Sequence, residues 1–435
     1  MEDVKKITGE IKISLDSLSE IQKKVKNIPD YKKEIEGFLD NPVTELLEIV
    51  LGGAINLESS DLHIEPEENQ AKLRTRIDGI LQKVMVFDFK KYQDLLSRIK
   101  LLSGIKFNIT NQPQDGRFSV LMGEIPIEIR ASTLPAEHGE SIVLRILNPK
   151  NLIEIESLDL REDLLSAFKK EITRPNGMVI VTGPTGCGKT TTLYAILQEI
   201  QRPEIKIITI EDPIEYHLKG VSQTQVNPRK GYDFASGLKS IVRQDPDVVL
   251  VGEIRDLETA KIALQAALTG HLVFTTLHTN DAAGTVARLN NLGAKPSNIG
   301  PAINLIIAQR LVRKVCKKCS KLKTVSPLVL NKLKEELKGI PKKIKIPKLT
   351  QQLKIPQVDK GCKDCNFTGY QGRIGIFEAF LVDDKMEKYI LTSPSIASLK
   401  EEAVKKGMVL MKQDGLIKVL KGTTTIEEVE RIVGE

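Results

Sequence analysis

Gly183-Pro184-Thr185-Gly186-Cys187-Gly188-Lys189-Thr190 is the stretch on which the reading of this chain turns. An apolar run, Met178 to Val181, leads into it, and a segment of good helix formers, Thr191 to Gln201, leads out. Strand, glycine-rich loop and helix in that order fit G-x-x-x-x-G-K-[ST]. Glycines let backbone N–H groups curl round phosphate oxygens, and the helix N-terminus adds favourable partial charge. Lys189 suits the β- and γ-phosphates, and the Thr190 hydroxyl suits a Mg²⁺ shell. Gly183, Pro184, Thr185, Gly186, Cys187, Gly188, Lys189, Thr190 and Thr191 are therefore the candidate nucleotide-binding residues, with ATP and Mg²⁺ as the ligands.

Working outward, further short, fully apolar runs lie at Ile205 to Ile210, Val248 to Val251 and Leu272 to Thr275. Such runs suit a parallel sheet covered on both faces, and Leu257 to Leu268, stopped by Gly270, reads as an intervening helix. Ligands bind at the carboxyl ends of strands in open sheets of this kind. Two acidic stations stand at such ends: Glu211-Asp212-Pro213-Ile214-Glu215 and Gly252-Glu253-Ile254-Arg255-Asp256. Hydrolysis on a phosphate loop needs one carboxylate for the Mg²⁺ shell and one to position or deprotonate water. Glu211 and Glu253 are the natural pair. Leu277-His278-Thr279 adds a histidine at a third strand end, read with equal weight as a phosphate sensor or a structural residue.

The sequence before this core reads as a separate α/β unit. Apolar positions at Ile11, Leu15, Leu18, Ile21, Val25 and Ile28 draw one helical stripe, a docking helix or one packed on its own domain, which Pro29 should end. A second helix is expected from Pro42 to Leu57 and a third from Tyr92 to Leu102. Strands are expected at Leu62 to Ile64, Lys72 to Ile77, Ile80 to Val86, Arg117 to Leu121, Ile125 to Ala131 and Ser141 to Leu147. The resulting division is 1–40, an N-terminal helical segment; 41–150, an N-terminal domain; 151–310, the nucleotide-binding core; 311–375, a cysteine module; and 376–435, a helical C-terminal region.

The 435 residues allow two to four domains. Only 4% are aromatic and none is Trp, which argues against an aromatic platform for bases or sugars. The net charge of +7 is not spread evenly: residues 311–375 hold 17 Lys or Arg against 4 Asp or Glu, leaving the rest of the chain acidic. In the same region Cys316-Lys317-Lys318-Cys319 and Cys362-Lys363-Asp364-Cys365 supply the ligand set of a closed tetrahedral zinc site. The Lys-rich stretch between the pairs is expected to fold over that site. The opening Met1-Glu2-Asp3-Val4-Lys5-Lys6 carries no apolar export signal, which with the paired cysteines gives the expectation of a cytoplasmic protein.

Four motifs in order resemble the secretion ATPases that power type II secretion and type IV pilus assembly. They are the phosphate loop, the acidic box Thr209 to Tyr216, the segment Val242 to Asp256, and the histidine box Gly270 to Asp281. The likeness extends upstream through Ser60 to Pro66, Arg76 to Gly79, Gln114 to Phe118 and Gly139 to Ser141, and downstream through Gly369 to Gly375. It implies a RecA-like P-loop ATPase core preceded by a PAS-like α/β domain and followed by the zinc-binding tetracysteine module and short C-terminal helices. It implies a homo-hexamer with an inner-membrane platform protein and a cytoplasmic docking protein as partners, peripheral at the cytoplasmic membrane. Implied roles are Glu211 as catalytic carboxylate, Glu253 for the Mg²⁺ shell, His278 as γ-phosphate sensor, and Arg117, Arg130 and less directly Arg145 as cations reaching the nucleotide. The alternative is a nucleic-acid-dependent RecA-like motor, but the sparse aromatics and the motifs weigh against nucleic acid as a partner.

Overall fold

A computed structural model describes residues 9–123 and 125–434, so Met1–Lys6 lies outside the described residues. The chain divides into two compact units, one of Met1–Lys150 with Cys316–Cys319 and Asp359–Gln371, the other of the remainder. Residues 311–375 are thus shared between the two units.

The first unit begins with strand β1 (Glu10–Ile13), helices α1 (Leu15–Lys24), α2 (Ile28–Glu36) and α3 (Val43–Asn56), and strands β2 (Asp61–Pro66), β3 (Gln70–Ile77) and β4 (Ile80–Asp88). It closes with α4 (Phe89–Ser103), β5 (Gln114–Met122), β6 (Ile125–Ala136) and β7 (Gly139–Leu147). The strands form one sheet in the order β1-β5-β6-β7-β2-β3-β4. All neighbours are antiparallel except β1, which lies parallel to β5.

The expected single N-terminal helix is corrected here. Ile11 and Ile13 alternate with exposed neighbours and make a strand, and Ser14 then caps α1 by accepting from the Ser17 N–H. Pro29 does not end a helix; it sits in the first turn of α2, where its missing N–H costs nothing, behind the Asn27 cap. Ile11, Ile21, Val25 and Ile28 all join the core of their own unit.

Several residues of the upstream motifs are spent on this fold. Gly116 must be glycine because a Cβ there would lie 2.3 Å from the Ser103 carbonyl oxygen at the end of α4. The Gln114 amide donates to the Lys106 and Ile109 carbonyls and ties the α4–β5 connection to the strand. Glu140 pairs with Lys100 at 2.5 Å, both buried, while the Tyr92 hydroxyl bonds the Glu140 backbone. Such a pair is costly to break from one side.

The second unit runs α5 (Glu162–Glu171), β8 (Gly177–Thr182), α6 (Lys189–Ile200), β9 (Ile207–Glu211), β10 (Ser222–Gln225), α7 (Phe234–Val242), β11 (Val248–Val251), α8 (Leu257–Leu268), β12 (Leu272–Leu277), α9 (Ala282–Asn291), α10 (Pro296–Ala302) and β13 (Ile303–Val315). It continues with β14 (Lys321–Thr324), α11 (Pro327–Glu336), β15 (Lys354–Gln357), β16 (Tyr370–Leu381), α12 (Asp384–Leu391), α13 (Ile396–Lys405), α14 (Met411–Leu420) and α15 (Ile426–Val433). Its sheet is ordered β10-β9-β11-β12-β8-β13-β16. Pairings from β10 through β13 are all parallel, and β8, β11 and β12 are buried along their whole length. Helices cover both faces, one through a core with α7, α8 and α9, the other through α5 and α6.

The Lys-rich insertion, Ser320–Val358, belongs to the second unit. Its strands β14 and β15 pair with each other, and Leu330, Leu333 and Ile355 bury against Leu416, Val419 and Val429 of α14 and α15. Its apolar side therefore packs on the C-terminal helices of the same unit. Arg161, just before α5, reaches buried Asp414 on α14 at 2.8 Å and ties those helices to the start of the unit.

Candidate nucleotide and metal sites

The register of the parallel sheet brings the sequence motifs to one edge. Thr182 at the end of β8 is level with Leu277 at the end of β12, and Val251 at the end of β11 is level with Ile210 of β9. The phosphate loop, Glu211, Glu253 and His278 thus leave four strands at their carboxyl ends, at the crevice such a sheet offers a ligand. The Thr182 hydroxyl clips two of these ends together, donating to the Leu277 carbonyl at 3.0 Å and accepting from the Thr279 N–H at 3.0 Å.

In the loop, Gly186 and Gly188 take left-handed backbone angles, φ +77° and +90°, which favour glycine. Lys189 opens α6 and folds back on the loop, donating to the Gly183 and Pro184 carbonyls at 2.8 and 3.1 Å. Burial holds its ammonium below the ordinary lysine range. Cys187 turns inward and is 4% exposed, and burial pushes its thiol pKa up, so it is a packed thiol rather than a reactive one.

The two carboxylates have unlike surroundings. Glu253 is paired with Arg255, and its other oxygen lies 3.6 Å from His278 Nε2. His278 is half exposed; burial, and then the nearby Lys189 charge, lower its pKa and leave the imidazole neutral at pH 7. Glu211 is 3% exposed and is held by neutral donors: Tyr194 to one oxygen, Thr209 at 2.6 Å and Gln223 at 3.1 Å to the other.

Sequence reasoning missed Tyr194, Gln223, Gln309 and Arg310. Gln309 on β13 accepts from Thr192 at 2.8 Å and donates to the Cys187 carbonyl at 2.7 Å, bracing the loop against its helix. Arg310 follows it, and a Cβ built at Gly183 would stand 3.2 Å from its guanidinium. Neither falls inside a phosphate-loop signature, and only the β8–β13 pairing brings them there.

In the first unit Arg117 faces Arg130 across β5 and β6, Arg130 faces Arg145 across β6 and β7, and Asp61 stands between Arg145 and Arg76. Side chains directly opposite share one face, so these five residues form a single cross-strand row. Glu128 lies 3.2 Å from Arg130 and 4.0 Å from Arg117, and Asp61 lies 3.2 Å from Arg145 and 3.3 Å from Arg76. Among the described residues two carboxylates, Glu128 and Asp61, lie against these four arginines. Like charges directly opposite are destabilising in a sheet.

The same unit holds the four thiols. Sγ separations are 3.9 Å for Cys316–Cys362 and 3.8 Å for Cys319–Cys365 and Cys362–Cys365. All four sulfurs lie within 4.8 Å of one another. Tetrahedral zinc with Zn–S near 2.3 Å needs sulfurs about 3.8 Å apart, so the arrangement fits that ion. The Cys362 and Gly369 N–H groups point at Cys365 Sγ at 3.1 and 3.2 Å, a second shell that stabilises thiolate. The turn between them is seated on α2, where the Ile28 N–H donates to Asn366 Oδ1 at 2.6 Å.

Comparison with known proteins places this geometry. The family model described as type II/IV secretion system protein matches residues 38–431. The type II secretion system ATPase E of Vibrio cholerae is 42% identical over 94% of this chain and 78% of its own length. The type IV pilus assembly ATPase PilB of Myxococcus xanthus is 40% identical over 95% and 71%. Among solved structures, a pilus retraction motor PilT with bound ADP aligns with TM-score 0.60 and 26% identity, covering 88% of this chain and 96% of that one. The Legionella pneumophila ATPase DotB shares the fold, with TM-score 0.64 and 23% identity over 90% and 95%. With a phosphate loop, two strand-end carboxylates and a histidine converging on one sheet edge, this chain belongs to the type II/IV secretion system protein family and is one of its ATPases.

Proposed function

We propose that this chain is a cytoplasmic ATP hydrolase that works as a homo-hexamer at the inner face of the cytoplasmic membrane, powering type IV pilus assembly or type II secretion. It would do so through an inner-membrane platform protein, with a cytoplasmic docking protein as a further partner. The convergence of Lys189, Glu211, Glu253 and His278 at four adjoining strand ends is the observation that supports this reading best. Among the described residues no helix is long and apolar enough to cross a membrane, so attachment would be through partners or surface contact. On this reading residues 41–150 are the PAS-like domain, residues 151–310 the RecA-like core and residues 376–435 its C-terminal helices.

The residue roles proposed are those the family resemblance implies. The loop from Gly183 to Thr191 cradles the phosphates, and Lys189 exchanges its two carbonyl partners for phosphate oxygens. Mg²⁺, held through Thr190 and Glu253, would supply charge neutralisation between the β- and γ-phosphates. Glu211 orients and accepts the proton of the attacking water, while neutral His278 donates to the γ-phosphate. Arg117 and Arg130, with Arg145 in the same row, are the cations proposed for the transition state. Cys316, Cys319, Cys362 and Cys365 hold a structural zinc.

Arg130→Ala separates activity from stability. Turnover should fall about 10²-fold or more, as for loss of a transition-state cation. Melting temperature should move little, because relief of the like-charge opposition to Arg117 and Arg145 offsets the lost ion pair with Glu128. Parallel losses of stability and turnover would make Arg130 a structural charge. Assembly is tested by sedimentation with Mg-ATP: a mass of about six chains is expected, and a monomer at every concentration would refute the ring.

A further inference from the structure

We propose that Tyr194 is a positioning residue for hydrolysis: its hydroxyl, with Gln223 and Thr209, fixes the Glu211 carboxylate and links it to the helix that carries the phosphate loop. The inference rests on Glu211 being the catalytic carboxylate and deepens that reading.

Three observations carry it. First, the donors to Glu211 are all uncharged, and among the described residues no ion pair includes it, whereas Glu253 faces Arg255 and His278. A buried carboxylate normally recruits a cation. Here two hydroxyls and an amide fix both oxygens without one, which fixes position while leaving the negative charge unpaired.

Second, the donors are themselves immobilised. Tyr194 is 1% exposed, and its ring meets Tyr216 edge to face with centroids 6.2 Å apart. Its hydroxyl also accepts from the Glu215 N–H at 3.3 Å, so the phenol bridges the first and last glutamates of the acidic box. Gln223 donates to the Tyr216 carbonyl at 3.0 Å and accepts from the Leu218 N–H at 2.8 Å, which sets its amide orientation. Burial and the adjacent carboxylate keep the phenol pKa well above its ordinary value, so it stays a donor.

Third, Tyr194 lies on α6, the helix that Lys189 opens. A shift of the loop on filling or emptying would move α6, and the phenol would move the carboxylate with it. Packing alone needs only the ring, so a phenylalanine would serve a purely structural role equally well.

The test uses the full chain with Tyr194→Phe, which keeps the ring and deletes the donor. Expected is a fall in kcat for Mg-ATP of about tenfold or more with KM within about twofold, alongside the small drop in melting temperature that one unpaired buried carboxylate oxygen brings. Gln223→Leu, which removes the second donor while leaving the Tyr194 ring and hydroxyl in place, should give the same split. Glu211→Gln measured alongside separates the two ideas. If Glu211→Gln retains turnover, the catalytic reading fails. If Glu211→Gln is inactive while Tyr194→Phe and Gln223→Leu turn over within about twofold of the parent, the positioning inference fails. Loss of melting temperature together with a raised KM in both variants would also overturn it, because that is the signature of a packing role.

Discussion

Glu211→Gln is expected to bind Mg-ATP as tightly as the parent chain and to lose about 10²- to 10⁴-fold in turnover, the range spanned by removal of a positioned general base. The surroundings of the residue make this a clean experiment. Glutamine has nearly the same shape and keeps a carbonyl oxygen that can accept from Tyr194 or Thr209, so the buried cage survives. What disappears is the negative charge. Lys189 and the loop glycines, which meet the phosphates, are untouched, so affinity should not move. Nucleotide titration and phosphate release on the same preparation check both halves, and near-normal hydrolysis would remove Glu211 from the catalytic role.

Withdrawal of zinc should have an equally large effect on structure. Four thiolates binding one structural zinc are worth about 10–16 kcal/mol in apparent free energy at neutral pH, which for a small knuckle is nearly all of its stability. Cys316–Cys319 and Asp359–Gln371 form such a knuckle, and their core contribution is small: Cys316 and Cys365 are buried, while Phe367 is 52% exposed. Metal analysis of protein purified without chelator should find about one zinc per chain. After chelation, or in Cys365→Ser, amide exchange should accelerate through residues 359–371 and reach the Ile28 N–H, which rests on Asn366. Protein that contains no zinc, or an exchange pattern indifferent to chelator, would sink the assignment.

The parallel core was legible because its strands are apolar on both faces. The run Val248 to Val251 is β11 and Leu257 to Leu268 is α8, residue for residue. In the first unit each strand expected from alternation is present, extended by a few residues where polar ends continue a ladder. The first forty residues were harder, because Ile11 and Ile21 fit a helical stripe as well as a strand followed by a helix. Only the pairing of β1 with β5, more than a hundred residues away, decides between them.

Within the candidate site, local motifs pointed to residues on loops after strands, and those do meet. Tyr194 was invisible for a different reason. It sits among apolar residues of α6, where an aromatic reads as core, and its hydroxyl gains meaning only once β9 lies beside the helix. The arginine row is likewise a product of register: Arg117, Arg130, Arg145 and Arg76 are scattered in sequence, and antiparallel pairing lines them up. The fate of the Lys-rich insertion followed from Leu330 and Leu333, whose burial partners on α14 and α15 lie some eighty or more residues downstream.

On the proposed reading this chain hydrolyses ATP in an assembly whose sites depend on neighbouring chains, not on nucleic acid. The most direct test is Mg-ATP turnover per chain as a function of protein concentration, with and without single-stranded DNA, with Lys189→Ala as the blank. Turnover that rises as chains associate and is indifferent to DNA is the result predicted. Turnover that is flat with concentration but stimulated by DNA would contradict it and favour a nucleic-acid motor.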